Sequence, residues 1–277
     1  MDTHFLHTLL QAHKASEAIP RKEAVYGFAE NLLKVLFPQF ASKSFSSTAE
    51  IQDFVEKLSL DFVQLLKSSQ CHAHLPDTLL TKKFFSFLPV IYTQLLKDAE
   101  AIVREDPAAK DIHEVILTYP GFYAIAIYRM AHVLYKLDVP YIPRMLTEYA
   151  HQKTGIDIHP GAQIGSYFCI DHGTGIVIGQ TTIIGNHVKL YQGVTLGAVS
   201  VEKALANVKR HPTIGDYVVI YANATILGGE VVVGEHSVIG GNVWLTESVP
   251  AYSKVYHKSQ IKVSGQKAVE QYLEFYI

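Results

Sequence analysis

From Ile158 to Ile176 the chain reads IHPGAQIGSYFCIDHGTGI, and an aliphatic residue returns at every sixth position: Ile158, Ile164, Ile170, Ile176. The rhythm slips by two to Ile178 and then holds through Ile184, Leu190 and Leu196. It resumes at Ile214, Ile220 and Ile226, slips by one, and returns at Val233 and Ile239. Glycine directly follows Ile164, Ile178, Ile184, Leu196, Ile214, Val233 and Ile239. A six-residue period of this kind is the mark of a β-helix, in which three hexapeptides make one triangular coil. The aliphatic side chain points into the prism and stacks on its equivalents, and the glycine after it is expected at the corner, where positive φ is easiest without a Cβ. Strands of a sandwich would instead alternate with period two.

Outward from this repeat the composition changes. Residues 1–150 hold only Gly27 and Gly121 among the chain's 18 glycines, and eight of its 11 prolines. Apolar residues there recur at helical spacing, as in Ile51, Phe54, Val55, Leu58, Leu65 and Leu66, and the prolines cut the region into helix-sized pieces. The stretch from Gly121 to Leu137 is the most apolar helix candidate. The reading is therefore an α+β chain: a helical N-terminal domain over 1–150, a parallel β-helix over 151–258 and a tail over 259–277. Between Gly197 and Arg210 the segment AVSVEKALANVK breaks the period and reads as a loop extruded from one coil. Trp244 is expected to cap the last coil.

Of 277 residues, 48% are hydrophobic and 18% charged, with a formal net charge of −2, which excludes disorder and gives no basic surface for nucleic acid or an anionic membrane. The most apolar window, Phe84 to Leu96, is too short and too often interrupted to span a bilayer. No basic segment followed by an apolar core opens the chain, and two cysteines, Cys71 and Cys169, make no disulfide framework, so a cytoplasmic protein is expected.

Three polar patches interrupt the repeat: Asp157-Ile158-His159-Pro160, Asp171-His172-Gly173-Thr174-Gly175, and Arg210-His211-Pro212. Asp157 and His172 are fifteen residues apart, close to one coil, which sets them on adjacent turns. A carboxylate behind a histidine fixes its tautomer and supports the imidazolium, the arrangement of a general base acting on a hydroxyl or amine. Two solvated corner residues remain the plainer alternative. A second alternative is a zinc site built from histidines among His151, His159, His172, His187, His211 and His236, but the repeat offers no close His-x4-His pair for it. His72 and His74 beside Cys71 lack a second cluster, and no metal is expected.

The order of motifs resembles serine O-acetyltransferase of the hexapeptide acyltransferase superfamily. It is carried by Arg104-Glu105-Asp106-Pro107-Ala108-Ala109, by Tyr119-Pro120-Gly121-Phe122 leading to Tyr128-Arg129-Met130-Ala131-His132, and by Gly155 to Pro160. Asp171 to Gly175, Val194-Thr195-Leu196-Gly197 and Arg210-His211-Pro212 complete it. The resemblance implies a left-handed β-helix assembled as a homotrimer or a dimer of trimers, acting on L-serine with acetyl-CoA as co-substrate. It implies His172 as general base, Asp157 as its orienting carboxylate, Asp106 for the serine ammonium, Arg210 for the serine carboxylate, and Asp171 and His211 completing the pocket. CoA would lie in a groove between subunits, along the backbone of Gly197, Ala222, Gly240 and Gly241. Acyl transfer would be direct, with no role for Cys169 as a nucleophile. The 198–209 loop departs from the family in lacking glycine, though Lys203 and Lys209 could still meet phosphates. The resemblance also implies that the terminal Ile277 docks on O-acetylserine sulfhydrylase through a carboxylate-recognising site, with a plain amphipathic helix end as the alternative. An acyltransferase for homoserine or a sugar, and a non-catalytic subunit that holds the sulfhydrylase, are the rival readings.

Overall fold

The computed structural model describes residues 1–16, 19–68, 75–199 and 208–257. Cys71, His72, His74, Lys203, most of the 198–209 segment and the tail with Ile277 lie outside the described residues. Among those described, helices run over Thr3–Ser16 (α1), Lys22–Leu36 (α2), Thr48–Ser68 (α3), Asp77–Ser86 (α4), Leu88–Glu105 (α5), Ile112–Thr118 (α6), Pro120–Lys136 (α7) and Ile142–Thr154 (α8). Their ends follow local chemistry. Asp111 caps α6 by accepting the Glu114 N–H at 2.9 Å. Pro120 occupies the first turn of α7, where no partner for an N–H is needed. Gly155, at φ +70°, closes α8 in the left-handed region. Phe28, Phe62 and Phe84 meet in the helical core, the first two stacked at 4.5 Å. None of the described helices is long and apolar enough to cross a membrane.

After Gly155 the chain winds into a parallel β-solenoid with three faces. The first face stacks Asp157–Ile158, Val177–Ile178, Thr195–Gly197, Thr225–Leu227 and Trp244–Leu245. The second stacks Gln163–Ile164, Ile183–Ile184, Thr213–Ile214 and Val232–Val233. The third stacks Cys169–Asp171, Lys189–Tyr191, Val219–Ile220, Val238–Ile239 and Lys254–Val255. Ile158, Ile178, Leu196 and Ile226 form one buried column inside, with Ile170, Leu190, Ile220 and Ile239 forming another. The slips in the sequence rhythm are corner insertions. Asp157 pairs with Val177, twenty residues on, while Val177 pairs with Thr195, eighteen on. Two extra residues thus enlarge the corner that carries His172. Thr195 pairs with Thr225, thirty on, so the 198–209 segment is the whole excess and stacking continues beneath it.

Two expectations are corrected. At the corners between the second and third faces, positive φ falls on Tyr167, His187, Tyr217, His236 and Tyr252, at +56° to +59°, and not on the glycines. Each of the first four stands two residues after its glycine. The glycines serve close approach between coils: a Cβ on Gly165 would lie 2.5 Å from the Gly185 carbonyl oxygen. The strain of a non-glycine residue in this region, about 1 kcal/mol, is offset by stacking. The five rings form one column with centroids 4.4–4.9 Å apart and planes within 8°. Trp244 does not cap the last coil. Its neighbour Val243 turns inward, so strand alternation sends Trp244 outward, where it is 68% exposed.

α5 and α7 lie against the third face. Arg129 of α7 forms a bidentate pair with Asp98 of α5 at 2.5 and 2.8 Å and donates to the Gly165 carbonyl at 2.8 Å. Tyr128 Oη donates to the Ala162 carbonyl at 2.6 Å. The helices are thereby fastened to the first coil.

Candidate active site

Where the C-terminal end of α5 and the N-terminal end of α7 meet the first strand of the third face, a pocket of about 250 Å³ opens. It is lined by Asp106, Thr118, Tyr119, Pro120, Gly121, Ile170, Asp171 and His172. Gly121 permits the closure, since a Cβ there would stand 2.6 Å from the Ile170 carbonyl oxygen. Asp106, the residue that ends α5, accepts from the Tyr119 hydroxyl at 2.7 Å and from the Ala108 N–H at 2.8 Å. The Tyr119 bond, with the Ala108 bond second, holds its carboxyl below the ordinary value, while Tyr119 is pushed up to about 12 by the same contact. An ionised carboxylate facing a small polar pocket suits an ammonium group.

Asp171 directs Oδ1 toward His172 Nε2 at 3.7 Å and Oδ2 toward Lys189 Nζ at 3.1 Å. His172 stands at φ +59° on the enlarged corner with its side chain 73% exposed. Asp157 lies on the neighbouring turn: its N–H donates to the Ile176 carbonyl at 2.9 Å, and Gly175 N–H donates to the Gly155 carbonyl at 2.8 Å. Its Oδ1 has Arg144 Nη1 at 3.8 Å, and it shares a cluster with Glu148 and His151 whose ligand-type atoms lie within 4.8 Å of one another. The Arg144 guanidinium also pairs with Glu148, so a cation already serves these carboxylates.

Arg210 and His211 stand elsewhere, at the corner between the first and second faces. His211 Nδ1 accepts from the Thr181 N–H at 3.1 Å, which leaves Nε2 as the protonated nitrogen of the neutral ring. Burial, aided by Arg210 and Lys209, pushes this imidazole down to about 4. His159, on the same corner, is likewise pushed down to about 4, by burial and then by Arg144 and Arg210. A Cβ on Gly179 would enter the His211 ring, so only glycine leaves it room. Arg210 Nη2 donates to Gln180 Oε1 at 2.7 Å. Lys209, expected near phosphates, turns its ammonium to the His211 carbonyl.

The candidate CoA contacts divide the same way. Gly197 ends a strand at the Arg210 corner. Ala222, Gly240 and Gly241 lie on the His172 corner, in a column joined by Gly193 N–H to Thr174 O, Asn223 N–H to Gln192 O and Asn242 N–H to Ala222 O, each 2.9 Å. Burial pushes the Cys169 thiol up to about 12, which leaves no thiolate at neutral pH. Tyr119, which lines the pocket, and Lys189, which pairs with the pocket-lining Asp171 from behind, are residues that the sequence did not single out for chemistry. Tyr119 reads there as a turn residue, and Lys189 occupies an outward strand position that would ordinarily be solvated.

Comparison with known proteins places this geometry in context. A family profile described as "Serine acetyltransferase, N-terminal" matches residues 37–126. A plasmid serine acetyltransferase of Synechococcus elongatus is 52% identical over 179 residues, 63% of this chain and 56% of that protein, so the chain spans little more than half of that relative. The serine acetyltransferase of Bacillus subtilis is 45% identical over 166 residues, 60% of this chain and 74% of the relative. Among solved structures, serine acetyltransferase 1 of Entamoeba histolytica in complex with L-cysteine superposes with a TM-score of 0.74 at 38% identity, covering 83% of this chain and 86% of that one. The Neisseria gonorrhoeae serine acetyltransferase in complex with serine gives 0.59 at 27%, covering 83% and 95%, and a serine acetyltransferase complex with CoA gives 0.57 at 27%, covering 84% and 94%.

Proposed function

The chain belongs to the serine acetyltransferase family, and we propose that it transfers the acetyl group of acetyl-CoA to the hydroxyl of L-serine, giving O-acetyl-L-serine and CoA. The observation that carries this reading is the pocket in which Asp106, Asp171 and His172 converge: an anchored carboxylate for an amine beside an accessible imidazole for a hydroxyl.

In the proposed reaction Asp106 holds the serine ammonium, and the His172 imidazole takes the proton from the serine Oγ as that oxygen attacks the thioester carbonyl. A tetrahedral oxyanion forms, collapses and expels the CoA sulfur, which receives the proton from His172. Asp157, on the adjoining turn, supports the imidazolium. Arg210 binds the serine carboxylate through its planar fork. His211, held neutral with its proton on Nε2, is the donor for the developing oxyanion.

His172 and Arg210 occupy different corners of one prism, so the proposed pocket needs the Arg210 corner of a second copy set against the His172 corner of the first. Outward-facing Val177, Ile183 and Val232, all exposed, support burial of these faces in a homotrimer, alone or in a dimer of trimers. The column from Thr174 to Gly241 covers three inter-strand steps, about 14 Å at ~4.8 Å each, and offers backbone for the pantetheine arm at Ala222, Gly240 and Gly241. A cytoplasmic location and the docking of Ile277 on O-acetylserine sulfhydrylase belong to the same proposal, the first supported by cysteine usage and the second by the family resemblance.

The direct test is release of CoA thiol from acetyl-CoA with L-serine, L-homoserine or no acceptor. Serine-dependent release is expected. Preference for homoserine would overturn the acceptor, and release with none of them would overturn the reaction.

A further inference from the structure

Lys189 has no part in the proposed reaction, yet its side chain is only 7% exposed and is paired with Asp171, a residue that lines the pocket. By register it lies beside Cys169, on the outward side of the third face, with the end of α5 lying over it. Its Nζ reaches Asp171 Oδ2 at 3.1 Å, donates to the Glu105 carbonyl at 2.8 Å and lies 4.6 Å from the Tyr191 ring centroid. One ammonium thus joins the strand bearing Asp171 to the residue just before Asp106. Burial opposes its charge, but Tyr191 and Asp171 outweigh that and hold it protonated, above the ordinary lysine value.

We propose that Lys189 is a positioning residue of this site: it fixes the spacing of Asp106 and Asp171, occupies Asp171 Oδ2 so that Oδ1 faces His172, and leaves Asp106 as the carboxylate for the substrate's ammonium. This rests on His172 being the base of the proposed reaction. Because Lys189 offsets the Asp171 charge, it restrains that carboxylate from favouring the imidazolium. The other titratable groups around Lys189 and His172 are Glu105 and Asp106 at the end of α5, Tyr119 before α7 with Glu114 of α6 beyond it, Cys169 and Tyr191 on the strands, and Asp157, the carboxylate assigned to the imidazolium in the proposed reaction.

The test compares the pH profile of kcat/KM for serine in the wild type, Lys189→Met and Lys189→Arg. In Lys189→Met, Asp171 is uncompensated, the imidazolium gains, and the acidic limb is expected to move to higher pH by roughly 0.5–1 unit. Lys189→Arg should keep the wild-type limb. Lys189→Gln, which retains a donor for Glu105 while removing the charge, should shift as Lys189→Met does and serves if the methionine variant does not fold. A lysine that only holds the fold would lower turnover equally at all pH, and an unmoved limb in both neutral variants overturns the proposal. Titration of the His172 ring signals by NMR, assigned by their loss in His172→Ala, reads the same shift without turnover. Failure of serine acetylation and failure of the Lys189 coupling therefore remain distinct results.

Discussion

Replacing His172 by alanine is expected to lower kcat for serine acetylation by about 10²–10⁴-fold, the range for loss of a positioned general base, with little change in stability. The ring is largely exposed and is not part of the core, so its removal leaves no cavity. Its φ of +59° is itself a mild strain that the variant retains. Steady-state kinetics with saturating acetyl-CoA and a thermal melt run alongside make the check. Turnover within tenfold of the wild type would remove His172 from the mechanism. A matching fall in melting temperature would mean that the ring acts through the fold instead.

The second large effect is on stability. Arg129→Met should destabilise the protein by roughly 3–5 kcal/mol, because Asp98 is left buried without its cation. Asp98 is fully buried, and its Oδ1 also accepts the Phe168 N–H at 2.9 Å, so it cannot turn away to water. Arg129 loses in addition its bond to the Gly165 carbonyl, the contact that ties α7 to the first coil. Urea or thermal unfolding reads this as a fall in melting temperature on the order of 10 °C. Replacing both partners, Asp98→Leu with Arg129→Met, should recover much of the loss, since the cost lies mainly in the orphaned charge. A single variant within 1 kcal/mol of the wild type, by the scale of an exposed pair, would show that the pair is not the fastening described.

The repeat is readable because the strand positions that point into the three-sided prism carry aliphatic side chains, so Ile158 through Ile239 announce the fold in their spacing. Corner chemistry was less legible. The sequence suggests the glycine after each aliphatic residue for positive φ, whereas the corners between the second and third faces use tyrosine and histidine there, and stacking from coil to coil compensates the strain. That compensation is visible only when residues sixteen to thirty positions apart are superposed. The two-residue slip after Ile176, which looks like noise in the rhythm, is the enlargement that carries His172. Within the candidate site, Asp106, Asp171 and His172 were accessible through motif resemblance. Tyr119 and Lys189 were not, since the Lys189–Glu105 contact spans 84 positions with no periodicity to connect them. The separation of Arg210 from His172 also escapes a linear reading, because corner identity depends on counting faces and not residues.

That separation has a genetic meaning. If each pocket is completed by the His172 corner of one copy and the Arg210 corner of the next, then two dead alleles, His172→Ala and Arg210→Ala, can rescue each other when expressed together. A mixed ring contains junctions where an intact His172 corner meets an intact Arg210 corner, about a quarter of all junctions at equal dosage in a cyclic assembly. Each purified variant would stay silent while their co-assembled mixture turned over.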